Sequence, residues 1–485
     1  MIITALRNWR PAAGALVEWQ PTEEARRAAT TAAADPDPGT FLQDNHLRGV
    51  HARAQAGRPH TAYLAVTTEV DGVLDAEAMS RALRRFVVRH SGLLTWFATD
   101  GATVTRHSVD ADRIAFEAHT SGHTVGDNEF RDYALARITR EAMATSWPGF
   151  LLGAVARANS FTLYYATDHA LSDGASQALV LTEILDFYDN ETSGHALGPY
   201  TAAPAGGFPD YARTEHERAQ QFSASSPEIT EWVDIFRRHG HTMPRFPLDL
   251  GLEPGTTAPM HGIEFDVLDR AGSAAFAERC RAAGGRYVAG VLAAVAITDR
   301  ELAGRDEYYG MTVLSTRGSG EFLLAQGWLC NFAPVAFTVR GATSFTELVA
   351  RANEAYDRAI ALSTVPLQAV LGALLASGAD PAAVTASPNM LSYMDFRRFP
   401  GAGTAPYERG MLFTGEGETA NASMWFNRDS EHLYLGCQSP GTPFAQQQLA
   451  RYHAHLRGVF EAVAADGDYL IGSGAREVAV ARHHG

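Results

Sequence analysis

The sequence predicts an α/β fold made of two halves of similar size. Residues 161–168 alternate between apolar and polar types that favour strands, and the apolar residues of 175–188 follow at helical spacing. Between about 190 and 227 this periodicity lapses into Gly, Pro, Ser and Ala, which indicates a crossover. The second half then shows a similar alternation of strands and helices. We place the two domains at residues 1–220 and 221–485.

The elements of each half can be assigned in chain order. In the first half an amphipathic helix from about Asp71 to His90 precedes the strand 161–168 and the helix 175–188. In the second half the predicted elements are a strand at 263–268, helices at about 273–283 and 287–302, a strand at 308–316, and a helix near 446–465. No short-period repeat is present, so any kinship between the halves would be structural.

Composition limits the classes of function. Of the 485 residues 46% are hydrophobic and 20% are charged, which is typical of a folded globular protein. The formal charge of −15 opposes nucleic-acid binding, so partners are expected among small molecules and proteins. The sequence contains no lysine, which excludes Schiff-base chemistry and a P-loop.

The cysteines and the N-terminal residues indicate a compartment. Cys280, Cys330 and Cys437 form no CxxC pair, so we expect buried small side chains and no metal site. No run of about 18 apolar residues occurs, and Arg7 and Arg10 interrupt any signal-peptide core. We therefore expect a cytoplasmic protein without an integral membrane segment. We also expect a monomer, although the sequence leaves the oligomeric state open.

The strongest chemical pattern is Asp168-His-Ala-Leu-Ser-Asp-Gly174, which follows the predicted strand 161–168. A neutral imidazole at a strand end can take a proton from an alcohol or amine, so His169 is a candidate general base. Asp173 could hold His169 directly or brace the loop by pairing with an arginine, and Gly174 would allow a backbone angle that side chains forbid. Taken alone, the pattern also fits a polar surface loop. The GxSxG, HExxH and Walker patterns are absent.

This loop resembles the HHxxxDG motif of nonribosomal peptide synthetase condensation domains and the HxxxD motif of acetyltransferases. Four other segments resemble further motifs of the same chloramphenicol-acetyltransferase-like superfamily in the same order: Phe41–Leu47 (SxxQxxL), Arg89–Phe97 (RHExLRTxF), Phe208–Ala212 (YxDYA) and Gly327–Val335 (GxFxNxxPxR/V). Asp168 replaces the first histidine of the loop motif, and Leu94 replaces the second arginine of RHExLRTxF. The second, catalytic histidine of the motif is retained as His169.

Finer features resemble the polyketide-synthase-associated, Pap-type acyltransferases, namely the opening LRNWRPAAGALVEW, Ser315–Gly318, Pro388–Asp395 and Ala422–Arg428. The resemblance implies two acyltransferase-like lobes in a V-shaped pseudo-dimer with an interface channel. It also implies transfer of an acyl group from a phosphopantetheine thioester, on coenzyme A or a carrier protein, to a hydroxyl in secondary-metabolite or lipid biosynthesis. No permanently bound cofactor is expected. An amine acceptor, or a non-catalytic carrier-protein-binding module, are the alternatives.

The resemblance also assigns roles to individual residues. His169 is the expected general base of a direct transfer without an acyl-enzyme, and Asp173 and Gly174 complete the catalytic motif. Arg317 is the expected partner of Asp173, and Asp395 is a second structural support. The candidates for substrate binding or oxyanion stabilisation are Asp168, Ser172, Trp328, Asn331 and Ser392. For Asn331 a strand-edge hydrogen bond, and for Ser392 and Asp395 a loop role, are the alternatives.

Overall fold

The computed structural model describes residues 1–123, 127–318 and 320–472. In these ranges the helices are α1 Glu23–Thr30, α2 Phe41–Gln55, α3 Ala76–Arg89, α4 Asp127–Glu141, α5 Gly174–Ser193, α6 Pro199–Ala202, α7 Phe208–Ala219, α8 Pro227–Arg238, α9 Arg270–Ala282, α10 Tyr287–Ala303, α11 Phe345–Leu362, α12 Leu367–Ala376, α13 Pro381–Thr385, α14 Ala405–Glu408 and α15 Pro443–Asp466. The strands are β1 Ile2–Thr4, β2 Ala15–Pro21, β3 Tyr63–Asp71, β4 Thr95–Thr99, β5 Val104–Ser108, β6 Phe116–His123, β7 Phe150–Ala156, β8 Ser160–Asp168, β9 Ala258–Asp269, β10 Glu307–Ser315, β11 Cys330–Thr338, β12 Met390–Asp395, β13 Met411–Thr414, β14 Glu418–Thr419, β15 Ser423–Arg428 and β16 His432–Pro440.

The chain divides into two units, each with its own seven-stranded sheet. The first unit contains Met1–Gln220 together with Ser315–Cys330 and Phe396–Gly415. The second unit contains Gln221–Leu314, Asn331–Asp395 and the residues from Glu416 onward. Two segments that follow residue 220 thus belong to the first unit.

The sheet of the first unit has the strand order β1-β13-β3-β8-β7-β2-β6. Strand β8 lies in the middle, antiparallel to β3 on one side and to β7 on the other. All of its residues after Ser160 are buried, which fits its β-favouring composition. Because β8 ends at Asp168 and α5 begins at Gly174, the central strand delivers the DHALSDG loop to one edge of the sheet.

Helices α3 and α5 pack together in the first unit. The apolar positions of α3, Met79, Leu83 and Phe86, are almost completely buried, as its helical periodicity predicts. Three of its four arginines pair with α5, among them Arg85, whose Nη1 lies 2.8 Å from Glu191 Oε1. Arg81 and Arg89 likewise bind acidic side chains of α5. These three arginines therefore form ion pairs within the chain.

The second unit has the strand order β11-β10-β12-β15-β16-β9-β14, with α10 and α15 packed in its core. No single helix of the described residues is both long enough and apolar enough to cross a membrane. Two bent helix pairs, α9 with α10 and α11 with α12, meet the length and composition test only when each pair is taken together.

The predicted crossover at about 190–227 contains two helices, α6 and α7. Helix α7 buries only Phe208, Tyr211 and Ala212, a pattern too short to be detected by its periodicity.

The cysteines were all expected to be buried. Cys280 and Cys437 are buried, whereas Cys330 is half-buried. Among the described ranges, no cluster of three or more His, Cys, Asp or Glu side chains is placed to hold a metal ion.

Candidate active site

His169 is the first residue of a 3₁₀ turn that directly follows β8. Its backbone N–H donates to the carbonyl of Ala62, at 2.9 Å, which ties the turn to the residue before β3. The ring lies against Trp328, with the two ring centroids 4.0 Å apart. The residue is half-buried, and Nδ1 is enclosed with no hydrogen-bond partner among the described residues.

The surroundings of His169 favour its neutral form. Burial lowers the pKa of the imidazole below its ordinary value, and the charge of His46 lowers it further. Asp173 and Asp168 attract a proton to the ring, but their effect on the pKa is smaller than that of burial. A neutral imidazole at pH 7 has the lone pair that a general base needs.

Asp173 is the N-cap of α5, and its carboxylate accepts three hydrogen bonds. Its Oδ1 accepts hydrogen bonds from the backbone of Ser176, at 2.8 Å, and from Arg317 Nη2, at 2.6 Å. Its Oδ2 accepts from the backbone of Leu329, at 2.9 Å. Of the two roles considered for Asp173, the structure thus contains the pairing with an arginine that braces the loop. No hydrogen bond joins Asp173 to His169 within the described residues.

Arg317 connects α5 to the segment Ser315–Cys330. Its Nη2 also donates to Ser176 Oγ, at 2.8 Å, and its Nη1 donates to the carbonyl of Ala325. Ser176 Oγ in turn donates to the carbonyl of Gly327, at 2.9 Å. The side chain of Arg317 is only 4% exposed, so this is a buried ion pair with additional hydrogen bonds. The network places Trp328, next to Gly327, beside His169.

Asp168 anchors the turn that carries His169. Its Oδ1 accepts from His46 Nε2 and from the backbone of Ala170, both at 2.8 Å, and Oδ2 accepts from the backbone of Ala144, at 2.9 Å. Burial raises the pKa of Asp168, but the His46 contact and the other donors outweigh it, so the pKa lies below its usual value. An ionised carboxylate has no proton to donate. Asp168 therefore has no proton to donate to an oxyanion, and its role in substrate binding stays a prediction.

Asn331 is also wrong as an oxyanion donor. Its Nδ2 donates to the carbonyls of Ser363, at 2.9 Å, and Val365, at 2.6 Å, and its Oδ1 accepts from the backbone of Phe332. Both amide hydrogens are used in holding the start of β11 to the end of α11. The strand-edge alternative describes this residue.

The structure places the remaining candidates in different elements, with Ser172 and Gly174 in the first unit and Ser392 and Asp395 in the second. Ser172 is buried, and its Oγ lies 3.4 Å from the carbonyl of Asp173. Gly174 is the first residue of α5 and has helical backbone, so the predicted need for a glycine-only conformation is wrong. Ser392 and Asp395 are half-buried on β12 in the second unit, paired with β15. Their proposed roles stay predictions, as does the interface channel.

Sequence reasoning missed His46 and His60. Helix α2 places His46 against Asp168, and His60 Nε2 lies 3.6 Å from Asp168 Oδ2. Gln43, also on α2, donates to the carbonyl of Ala170 at 2.7 Å. The resemblance of Phe41–Leu47 to a family motif indicated the helix. No pattern linked its histidine to a residue 122 positions later.

Comparison with known proteins identifies relatives of this architecture. The family described as Condensation domain matches residues 48–379. The 2'-acyl-2-O-sulfo-trehalose (hydroxy)phthioceranyltransferase PapA1 of Mycobacterium tuberculosis (strain CDC 1551 / Oshkosh) is 30% identical over 371 residues, which cover 76% of this chain and 71% of PapA1. The acyltransferase PapA3 of Mycobacterium tuberculosis (strain ATCC 25618 / H37Rv) is 26% identical over 484 residues, covering 96% of this chain and 98% of PapA3.

Solved structures agree with these relatives. A PapA2 acyl transferase superposes with a TM-score of 0.85 at 23% identity, covering 96% of this chain and 100% of the other. The first condensation domain of the CDA synthetase gives a TM-score of 0.68 at 19% identity, with coverages of 90% and 99%. The fold is therefore the predicted two-lobed, chloramphenicol-acetyltransferase-like α/β fold. The chain belongs to the condensation-domain family and is an acyltransferase.

Proposed function

We propose that the enzyme moves an acyl group from a thioester of coenzyme A or a carrier protein to a hydroxyl, forming an ester, with His169 as general base. The observation that carries this proposal is the half-buried imidazole of His169 at the end of β8, whose surroundings keep it neutral. Asp168 and Asp173 fix the turn on either side of it. The donor thioester is a substrate, and the mechanism below needs no resident cofactor.

The first step is attack on the thioester. The imidazole removes the proton from the acceptor hydroxyl as its oxygen forms a bond to the thioester carbonyl carbon, which produces a tetrahedral oxyanion. General base catalysis of this kind typically contributes about 10²–10⁴-fold in rate. Holding the two substrates together supplies much of the remaining acceleration.

The second step is collapse of the tetrahedral intermediate. The carbon–sulfur bond breaks, and the imidazolium of His169 returns its proton to the departing thiolate. The products are an ester and a free thiol, and the base regains its neutral form. Burial of His169 supports this cycle because it disfavours a stable imidazolium between turnovers.

The acceptor is proposed to be a hydroxyl of a sugar. PapA1 is named as an acyltransferase acting on a 2'-acyl-2-O-sulfo-trehalose, and PapA2 of Mycobacterium tuberculosis (strain CDC 1551 / Oshkosh) as a trehalose-2-sulfate acyltransferase. The latter is 26% identical to this chain over 467 residues. Arg317 is buried and its guanidinium is paired with Asp173. We therefore propose that Arg317 stabilises the loop and does not bind a sulfate group of the acceptor.

Mass spectrometry of reaction mixtures tests the proposal. Acyl-coenzyme A and acyl-carrier thioesters of several chain lengths are incubated with the enzyme and with trehalose, trehalose-2-sulfate, a simple alcohol or an amine. An acylated sugar that requires the enzyme, with transfer reduced about 10²–10⁴-fold in His169→Ala, is the expected result. An amide product would replace the ester assignment. Carrier binding without any transfer would favour the non-catalytic alternative.

A further inference from the structure

A second histidine lies beside the proposed base and is absent from the mechanism above. His46, on α2, is 11% exposed, and its Nε2 lies 2.8 Å from Asp168 Oδ1. Asp168 also accepts from the backbones of Ala170 and Ala144, as an ionised carboxylate does. Because that carboxylate can only accept, the proton in the His46 contact belongs to Nε2.

His46 and His169 share the same aromatic neighbour. The ring centroids of the two histidines are 6.3 Å apart, and the ring of Trp328 is 5.6 Å from His46 and 4.0 Å from His169. The same helix also donates from Gln43 to the carbonyl of Ala170. Helix α2 therefore makes hydrogen bonds to the residues immediately before and after His169.

Several charged groups act on this cluster, including Arg53, whose charge lowers the pKa of His60. His169 is influenced by His46, Asp168 and Asp173, and Asp168 by His46 and His60. The pKa of His60 is lowered by burial and, less strongly, by the charge of His46, while Asp168 raises it. His46 is thus the one titratable side chain that both hydrogen-bonds Asp168 and disfavours a proton on His169 among these groups.

We propose that His46 is a positioning residue for acyl transfer: through its hydrogen bond to Asp168 it fixes the turn that carries His169. When it is protonated, its charge also disfavours a proton on His169. This proposal rests on the proposed function, because it acts on the base. It predicts two separable contributions, one from the Nε2–H hydrogen bond and one from the charge.

Two substitutions separate these contributions. His46→Gln retains an N–H that can reach Asp168 but carries no charge, whereas His46→Leu removes both. We expect His46→Leu to lower kcat about 10- to 100-fold with little change in KM, as loss of a hydrogen bond to a buried charge does. His46→Gln should recover most of kcat above pH 8. Both variants should move the acid limb of kcat/KM to higher pH, since removal of a positive charge raises the pKa of His169.

Histidine-selective NMR provides a readout that does not depend on turnover. The pKa of His169 is measured in wild type, in His46→Gln and in a matched control, His51→Gln, on the same helix beside Gly101. A higher pKa in His46→Gln, with the control unchanged, is expected. An unchanged or lower pKa would overturn the charge contribution, and wild-type kcat in His46→Leu would overturn the positioning contribution. Wild-type transfer by His169→Ala would instead refute the proposed base, while the NMR result would still report on His46.

Discussion

Two buried aspartates, Asp168 in the first unit and Asp299 in the second, differ in the number of donors around them. Asp168 accepts from His46 and two backbone N–H groups, and its pKa is lowered despite burial. The Asp299 side chain accepts one hydrogen bond among the described residues, from Tyr452 Oη at 2.7 Å, and burial raises its pKa to about 7. Burial alone pushes a carboxyl towards its neutral form, and only multiple donors reverse that tendency. The charged form of Asp168 at the site is therefore stabilised, whereas the surroundings of Asp299 favour its neutral form.

The largest expected effect comes from removing a donor at the site. In Arg317→Ala the carboxylate of Asp173 stays buried but loses its guanidinium partner. Breaking a buried pair in this way costs about 3–5 kcal/mol of unfolding free energy. Urea unfolding of wild type and variant at pH 7 measures the cost. A matched control is Arg81→Gln, whose exposed pair with Glu191 should be lost without a measurable shift in the midpoint. Equal midpoints for all three proteins would contradict the assignment.

Substitution of Asp299 should have the opposite sign. The folded state keeps the proton of Asp299 up to about pH 7, whereas the unfolded state releases it near pH 3.8, so wild-type stability falls as pH rises between these values. Asp299→Asn removes this dependence while keeping an acceptor for Tyr452. We expect a gain that grows with pH to at most about 4 kcal/mol at pH 7 and above.

Asp168→Asn sharpens the contrast. The folded-state pKa of Asp168 is lowered, so its stabilisation is present above the unfolded pKa near 3.8 and is lost as pH falls below it. The variant should be less stable than wild type at pH 7, and the difference should shrink below about pH 4. The two asparagine variants are compared by urea unfolding between pH 3.5 and 8. Differences from wild type that do not change with pH in either variant would refute this account of the two carboxyls.

The smallest expected effect applies the same rule to a buried base. His453, on α15, is buried with Nε2 lacking a partner in the described part of the chain, and burial lowers its pKa to about 4. Wild-type stability contributed by this group is lost as pH falls from about 6.5, where the unfolded state gains its proton, towards 4. His453→Phe should gain about 2 kcal/mol at pH 5 and little at pH 8. Thermal unfolding at the two pH values measures this, and a larger gain at pH 8 would contradict it.

Local patterns predicted the elements that carry the proposed base. The predicted helix at Asp71–His90 corresponds to α3, the strand 161–168 to β8, and the helix 175–188 to α5. These predictions succeed because burial imposes a period of two on strands and 3.6 on helices over short stretches of chain. The family resemblance extended the prediction to the pairing of Asp173 with Arg317, which lies 144 residues away in sequence.

Other parts of the site depend on tertiary contacts that leave no periodic signal. Nothing in the spacing of His46 and His60 indicates that both converge on Asp168. The assignment of Ser315–Cys330 to the first unit depends on hydrogen bonds to Asp173 and Ser176, not on its composition. Asn331 was misassigned for the same reason, because the carbonyls that occupy its amide follow α11.

The role of His169 as general base is tested by the pH dependence of single-turnover acyl transfer in wild type and in His169→Ala. We expect a wild-type rate that falls only below the ordinary histidine pKa of about 6.5, because burial and His46 lower the pKa of His169. The variant should be about 10²–10⁴-fold slower at pH 7 and should lack this inflection. Equal rates, or an identical inflection in both proteins, would contradict the assignment of His169 as the base.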